Sequence, residues 1–445
     1  MINKIINKFF YLIKYYTIIE PHCYIGSYNY KNLLRNLLYF SFIQSSIKKF
    51  IKTLRSTIIK VFLDIWSIIF LPIIIMVYFT KYRFIQLEYS QIGIFAHQLN
   101  GMCKFYFLEN KIPIICVPRT VSRSHIKKIF NKLIIVDSLF LNVLFLPLIN
   151  SSLISCRPDY VESFYKNKKL ERTATPLFCK IIQDYTLTEK QNYFQLSKSY
   201  EKKMNILFNK KFKDYDLNNT FVLHVRDVGF VKSSDLRNAN LKNYTPSIDM
   251  MLNKNYNVIR IVHSKSEKLN FTKNYAEMNI EEKDNEYLQY YLLSKCRGFI
   301  CGHSGPGPLG ALLNTPILEL NLFPLEISYA LKKNDIFVPK KLLFNNERFL
   351  PYNEIFGSDV RFVNSTTQMN IRKLNAVENS EDEVFEAVSE FIDIQNNKSQ
   401  SFTINQLNFK KSIPSVSSLN YIDGRISDYF IKKKLSYFFL IILDY

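Results

Sequence analysis

His224, Arg226 and Asp227 fall within one short segment, FVLHVRDVGF at 221–230, and Arg237, Asn238 and Tyr244 follow soon after. An imidazole, a guanidinium and a carboxylate gathered at one point suit an anionic ligand. The planar fork of a guanidinium binds two phosphate oxygens at once. The imidazole adds a further hydrogen bond, and the carboxylate is a candidate proton acceptor. Residues 221–223 read as a buried strand, and Gly229 marks a turn after it. Open α/β sheets bind ligands outside the carboxyl ends of their strands. The segment therefore predicts a phosphate site at a strand end.

A second cluster lies at 301–310, CGHSGPGPLG. It follows an expected strand and opens an expected helix. Gly305, Gly307 and Gly310 make a formal G-x-G-x-x-G. The dinucleotide fingerprint belongs in the first strand-to-helix turn of its domain, with an acid about 20 residues further on. Here the match falls after the third expected strand, prolines interrupt it, and Glu319 stands only 14 residues beyond Gly305. A nicotinamide cofactor is therefore not expected, and no cofactor of another kind is implied. Without a Walker lysine the segment is no P-loop. Small residues still let backbone N–H groups approach a diphosphate at a helix start, with His303 and Ser304 adding side-chain donors. A tight turn that needs glycine for steric reasons alone is the competing explanation.

Several elements must position these groups. Strands are expected at 84–87, 93–95 and 112–117, with mostly helical pattern over 121–215. After a polar linker at 216–219, strand and helix alternate. Strands are expected at 221–225, 258–262, 298–301 and 317–320, and helices at 246–252, 285–295 and 307–313. Such alternation means βαβ units and a parallel sheet. The expected fold class is α/β, with two Rossmann-like domains facing a cleft. The divisions are a basic, hydrophobic membrane-associating region at 1–81, an N-terminal α/β domain at 82–219, a C-terminal Rossmann-like domain at 220–395, and a loosely attached tail at 396–445.

Composition narrows the partners. The 445 residues carry a formal charge of +21, which favours phosphorylated ligands or acidic lipid surfaces. Residues 1–60 hold ten Lys and Arg but one acid, Glu20. Nucleic acid is not expected, because no RNP, helix-turn-helix or zinc signature is present. Seven cysteines without a CxxC pair fit reduced thiols and give no metal site. The stretch at 61–79, VFLDIWSIIFLPIIIMVYF, is long enough to span a bilayer of about 30 Å. Asp64 and Pro72 interrupt it, and both flanks are basic, which suits an interfacial or re-entrant segment as well as a single span.

The order HVRDVGF, RNANLKNYTPSID, NVIRI, SKCRGFICGHSGPG and NTPILELNLFPL resembles a family of bacterial glycosyltransferases found among surface-polysaccharide genes. The likeness is fullest over 220–325 and extends upstream to QIGIFAHQLNG at 91–101. Family members carry Arg-Ile-Gly-His where this chain has Gln91, Ile92, Gly93 and Ile94. His97 is the expected substitute there. The resemblance implies a GT-B-type enzyme that binds a nucleotide-sugar donor in its C-terminal domain and a glycan or lipid-linked acceptor in its N-terminal one. Products would be lipopolysaccharide, O-antigen or capsule of the bacterial cell envelope, made on the cytoplasmic face of the inner membrane. The His-x-Arg pattern is also similar to the donor-phosphate motif of fucosyltransferase-like enzymes, which gives Arg226 the donor diphosphate without a metal. Asp227 and His97 are the expected bases. The alternative is a non-catalytic membrane protein of polysaccharide assembly that has kept the fold.

Overall fold

The computed structural model describes residues 68–85, 92–117, 126–151, 154–156, 194–227, 235–271, 273–397, 401–414 and 417–433, with positions 61, 65, 66, 87 and 181. The basic segment at 1–60, Gln91, Gly229 and Asp64 lie outside them. The described residues divide into two compact units, one drawn from positions up to 86, 110–120 and 135–156, the other from 87–109, 121–134 and 157 onward.

The first unit is a small sheet. Strands β1 (Tyr82–Ile85), β2 (Ile112–Cys116), β3 (Ile134–Val136) and β4 (Ser155–Cys156) lie in the order β3-β2-β1-β4, and β1 runs parallel to both neighbours. Its core is Ile74, Phe84, Cys116, Leu148, Ile149 and Ile154. Helix α1 (Leu71–Tyr78) begins with Pro72 in its first turn, where a missing N–H costs nothing. The proline thus sits where the helical residues 68–69 give way, through the turn at Phe70, to α1. Arg83 closes the other end, its guanidinium donating to the carbonyls of Val77, Tyr78 and Thr80. Ile65, Ile69, Ile73, Met76 and Phe79 recur at helical spacing and are all exposed, from 41% to 77%. No helix among the described residues is long and apolar enough to cross a membrane.

The second unit holds a seven-stranded parallel sheet. Its strands are β5 (Thr220–His224), β6 (Asn257–Val262), β7 (Tyr275–Asn279), β8 (Gly298–Cys301), β9 (Ile317–Leu322), β10 (Ile336–Pro339) and, after the antiparallel ribbon β11 (Lys341–Phe344), β12 (Arg348–Phe349) and β13 (Leu374–Val377), β14 (Arg425–Ile426). The order is β14-β10-β9-β8-β5-β6-β7. The chain thus runs outward from β5 through β6 to β7, then returns to β8 and runs the other way. This is the doubly wound order, with its topological switch point between β5 and β8.

Every residue of β5, β6, β8 and β9 is buried, so both sheet faces are covered, as a parallel sheet requires. Full burial of each such Leu, Ile or Phe contributes about 1.5–3 kcal/mol. The covering helices are α2 (Ile92–Leu108), α3 (Lys198–Lys211), α4 (Thr245–Asn253), α5 (Asn285–Lys295), α6 (Pro306–Leu312), α7 (Glu381–Asn397), α8 (Ile404–Ser412) and α9 (Asp428–Lys433). Ser197 caps α3, and Thr403 with Gln406 forms a capping box on α8.

Two expectations fail here. Residues 93–95 are not a strand but the first turn of the 17-residue α2, whose buried Phe95, Leu99, Met102, Cys103 and Tyr106 repeat at helical spacing. Nor are the described residues of 401–433 loosely attached. β14 pairs in parallel with β10, and Leu419, Ile422, Phe430 and Ile431 enter the main core.

Candidate functional site

His224 ends β5, and its carbonyl accepts from the N–H of Gly302, just past β8. Its Nδ1 lies 3.1 Å from Oγ of Ser304. This bond spans the switch point and joins the two motifs singled out in the sequence. Burial, aided by His263 and the charges of Arg260 and Arg226, pushes the His224 imidazole down to about 3. The ring is therefore neutral near pH 7.

Arg226 follows, 5% exposed, with Nε donating to Oδ1 of Asn238 at 3.1 Å. Its carbonyl accepts from the N–H of Ala239. The HVRD and RNA motifs thus meet through one side-chain and one backbone bond. Burial, then Arg237, lowers the guanidinium to about 10. Lys340, 2% exposed, donates to the carbonyl of Asn238 at 2.7 Å. Burial lowers its ammonium to about 8, while Glu378 pulls it back up. Arg226, Arg237 and Lys340 make this edge of the sheet cationic.

Asp227 faces elsewhere. Its Oδ2 accepts from Arg260 Nη2 at 3.1 Å and from the N–H of Glu267, and its Oδ1 accepts from Ser266. Arg260 is fully enclosed and also donates to Glu277 Oε1 at 2.9 Å and to the Glu267 carbonyl. The carboxylate expected to be a base is bound into a buried ion pair that ties the loop after β6 to β5. Tyr244 likewise points into the core, its hydroxyl accepting from Asn321 Nδ2 at 3.0 Å.

The glycines at 305–310 have packing reasons. A Cβ on Gly307 would lie 2.5 Å from the Tyr329 ring, and one on Gly310 would lie 2.9 Å from Phe299. Gly305 abuts Gly93 of α2, where an added Cβ would stand 2.8 Å from the Gly305 Cα. The Gly307 N–H is taken by the Ser304 carbonyl. Steric fit accounts for these residues in place, and the close approach seats α2 against the start of α6.

His303, next to Ser304, has partners of its own. Its Nδ1 is 2.9 Å from Glu319 Oε1, and Tyr329 stacks on its ring at 4.9 Å and 11°. His97 on α2 meets the same tyrosine edge-on, ring centroids 6.4 Å apart, and burial with the nearby His303 lowers its imidazole to about 4. The second unit thus gathers all the expected site side chains, with Arg226, Arg237 and Asn238 in one group and His97 with His303 in another. Sequence reasoning missed Lys340, Tyr329 and the role of Glu319. A charged residue inside an apolar run, as in LELNL, was the available signal for Glu319.

Fold and site together define a doubly wound α/β protein with a cationic group at its switch point. No protein-family model and no curated protein matches the chain. Among solved structures it is similar to the ADP-heptose LPS heptosyltransferase II of E. coli, at 11% identity and TM-score 0.31 over 54% of this chain and 84% of that one. It is also similar to a glycosyl transferase family 9 protein from Veillonella parvula, at 9% identity and TM-score 0.43 over 70% of this chain and 97% of that one.

Proposed function

We propose that this chain is a glycosyltransferase that moves a sugar from a nucleotide-activated donor to a surface glycan or lipid-linked acceptor. The observation that carries this reading is the cationic, buried group beside the His224–Ser304 bond at the switch point. There Arg226, pre-oriented by Asn238, takes the donor diphosphate. As the bond from sugar to phosphate breaks, negative charge grows on the leaving nucleotide. A fixed guanidinium in a desolvated site stabilises that charge more than water would, so the reading assigns no role to a metal. The second unit is the donor-binding half of a GT-B-type enzyme in this account, and Asp227, through Arg260, keeps the strand end in place.

Attachment is to the cytoplasmic face of an anionic membrane. The support is the exposed stripe from Ile65 to Phe79 beside the basic sequence at 1–60. Co-sedimentation with phosphatidylglycerol vesicles tests it: Ile69→Asp/Met76→Asp releases the protein, and undiminished pelleting contradicts the attachment.

The activity test is incubation of the full chain with a panel of nucleotide sugars and a bacterial lipid extract. Labelled sugar is expected in the lipid or polysaccharide fraction with wild type and not with Arg226→Ala. Equal incorporation by both proteins contradicts the assignment of Arg226. A folded wild type that transfers nothing and binds no nucleotide favours a non-catalytic assembly protein.

A further inference from the structure

Asn238 is held by two cations at once. Its Oδ1 accepts from Arg226 Nε at 3.1 Å, and its carbonyl accepts from Lys340 Nζ at 2.7 Å. We propose that Lys340 and Glu378 form a clamp at the foot of the β11–β13 ribbon, and that this clamp positions Arg226 for donor binding by acting through Asn238. The proposal rests on the glycosyl-transfer reading above, which gives Arg226 the donor diphosphate.

The two jaws carry opposite charge. In the antiparallel pairing of β11 with β13, Lys341 stands opposite Val377, and Lys340 and Glu378 flank that pair. Lys340 takes the Asn238 carbonyl. Glu378 Oε2 accepts from the Asn240 N–H at 2.7 Å. Hydrogen bonds with one charged partner are the stronger kind. Glu378 also acts on the Lys340 ammonium, offsetting part of the lowering by burial. Further along, Asn243 Nδ2 donates to the Asn379 carbonyl at 3.0 Å. The same segment is tied to the end of β5 by the Ala239 N–H, which donates to the Arg226 carbonyl at 2.9 Å.

The jaws are fixed to the central sheet. The Asn379 N–H donates to Asn321 Oδ1 at 2.8 Å, and the Asn321 N–H returns a bond to Asn379 Oδ1 at 2.7 Å. Asn379 Nδ2 donates to the Pro339 carbonyl at 3.0 Å. The Lys340 N–H donates to the Leu322 carbonyl, and its own carbonyl accepts from the Tyr352 hydroxyl, each at 3.1 Å. What the jaws hold is a connection between two short turns, Asp235–Arg237 and Leu241–Tyr244. Such a connection has little order of its own, so the placement of Asn238 comes from the groups that grip it. Lys340 is only 2% exposed. It therefore acts on a ligand through Asn238 and not by touching it. An enclosed ammonium is costly without a hydrogen-bond partner, and the Asn238 carbonyl is that partner.

The test is titration calorimetry of UDP, GDP and ADP into the full chain in detergent. The proteins are wild type, Lys340→Met, Glu378→Ala, Arg226→Ala and each of the first two variants combined with Arg226→Ala. Lys340→Met keeps the aliphatic stem and is expected to weaken the nucleotide that binds about 10-fold, the loss of one charge-assisted hydrogen bond. In the Arg226→Ala background the same change should alter affinity less than about 2-fold, because the arginine it orients is gone. A general loosening of the fold would weaken binding equally in both backgrounds. Glu378→Ala removes the other jaw from a partly exposed position. It should act in the same direction, and it carries the test if Lys340→Met does not fold. Folded single variants that bind like wild type, or equal weakening in both backgrounds, overturn the clamp. A wild type that binds no nucleotide counts against the donor reading alone. If it or Arg226→Ala shows no binding, urea unfolding decides the clamp. Lys340→Met and Arg226→Ala should then depart from additivity by about 3-fold or more in the unfolding equilibrium constant, and additive effects overturn it.

Discussion

Two carboxylates are buried at the carboxyl edge of the same sheet, and they have been given different partners. Asp227, after β5, meets a guanidinium. Glu319, inside β9, meets an imidazole. A guanidinium presents several N–H donors in a fixed fork, whereas an imidazole presents one ring nitrogen to each side. The first pair holds a loop, and the second holds the imidazole on which Tyr329 stacks. The lesson is that placement at a strand end does not assign a carboxylate its role. The partner does, and here the partner comes from a different strand or turn in each case.

The largest expected effect breaks the first pair. Arg260→Leu leaves Asp227 buried without a counter-charge and is expected to cost about 3–5 kcal/mol in urea unfolding. Asp227→Asn/Arg260→Leu should recover part of that loss, since the only carboxylate then left without Arg260 is the partly exposed Glu277. A single variant as stable as wild type would mean that the pair does not hold the fold.

A comparable but smaller effect comes from His224 at the end of β5. Its folded pKa, about 3, is below that of an unfolded histidine. The unfolded chain therefore binds the proton more readily as pH falls below about 6.5. The resulting loss of stability grows to about 3 kcal/mol near pH 4 and levels off below the folded value. His224→Gln should flatten this limb, and a difference between the two proteins that is constant with pH would contradict the burial argument.

The mildest change sharpens the second pair. Gly307→Ala sets a methyl against the Tyr329 ring and is expected to cost about 1–3 kcal/mol through overpacking, read as a lower Tm. An unchanged Tm would contradict the close packing of Gly307 on Tyr329.

Much of the central sheet was legible because strands buried on both faces are continuous apolar runs. FVLH, NVIRIV, GFIC and the start of ILELNL announce themselves in this way. β7, with the sequence YAEMN at the sheet edge, and the two-residue β14 carry no such run. Helix α2 was misread because Gly93 and the short run after it imitate a strand and turn. Only the 3.6-residue repeat from Phe95 to Tyr106 reveals the helix. In the site, single motifs were visible but their pairings were not. Asp227 finds Arg260 across 33 residues, His303 finds Glu319 across 16, and Lys340 finds Asn238 across 102. Strand order and the ribbon after β10 bring these together, and neither is encoded in local spacing.

The central claim is that a nucleotide diphosphate binds at the switch point through Arg226. Titration calorimetry of UDP, GDP and ADP into the full-length wild type and Arg226→Ala tests it most directly. The account predicts that one nucleotide binds wild type and is weakened by roughly 10- to 100-fold in the variant, the loss of about one charge-assisted hydrogen bond. Equal affinity in both folded proteins, or no binding to either, would contradict it.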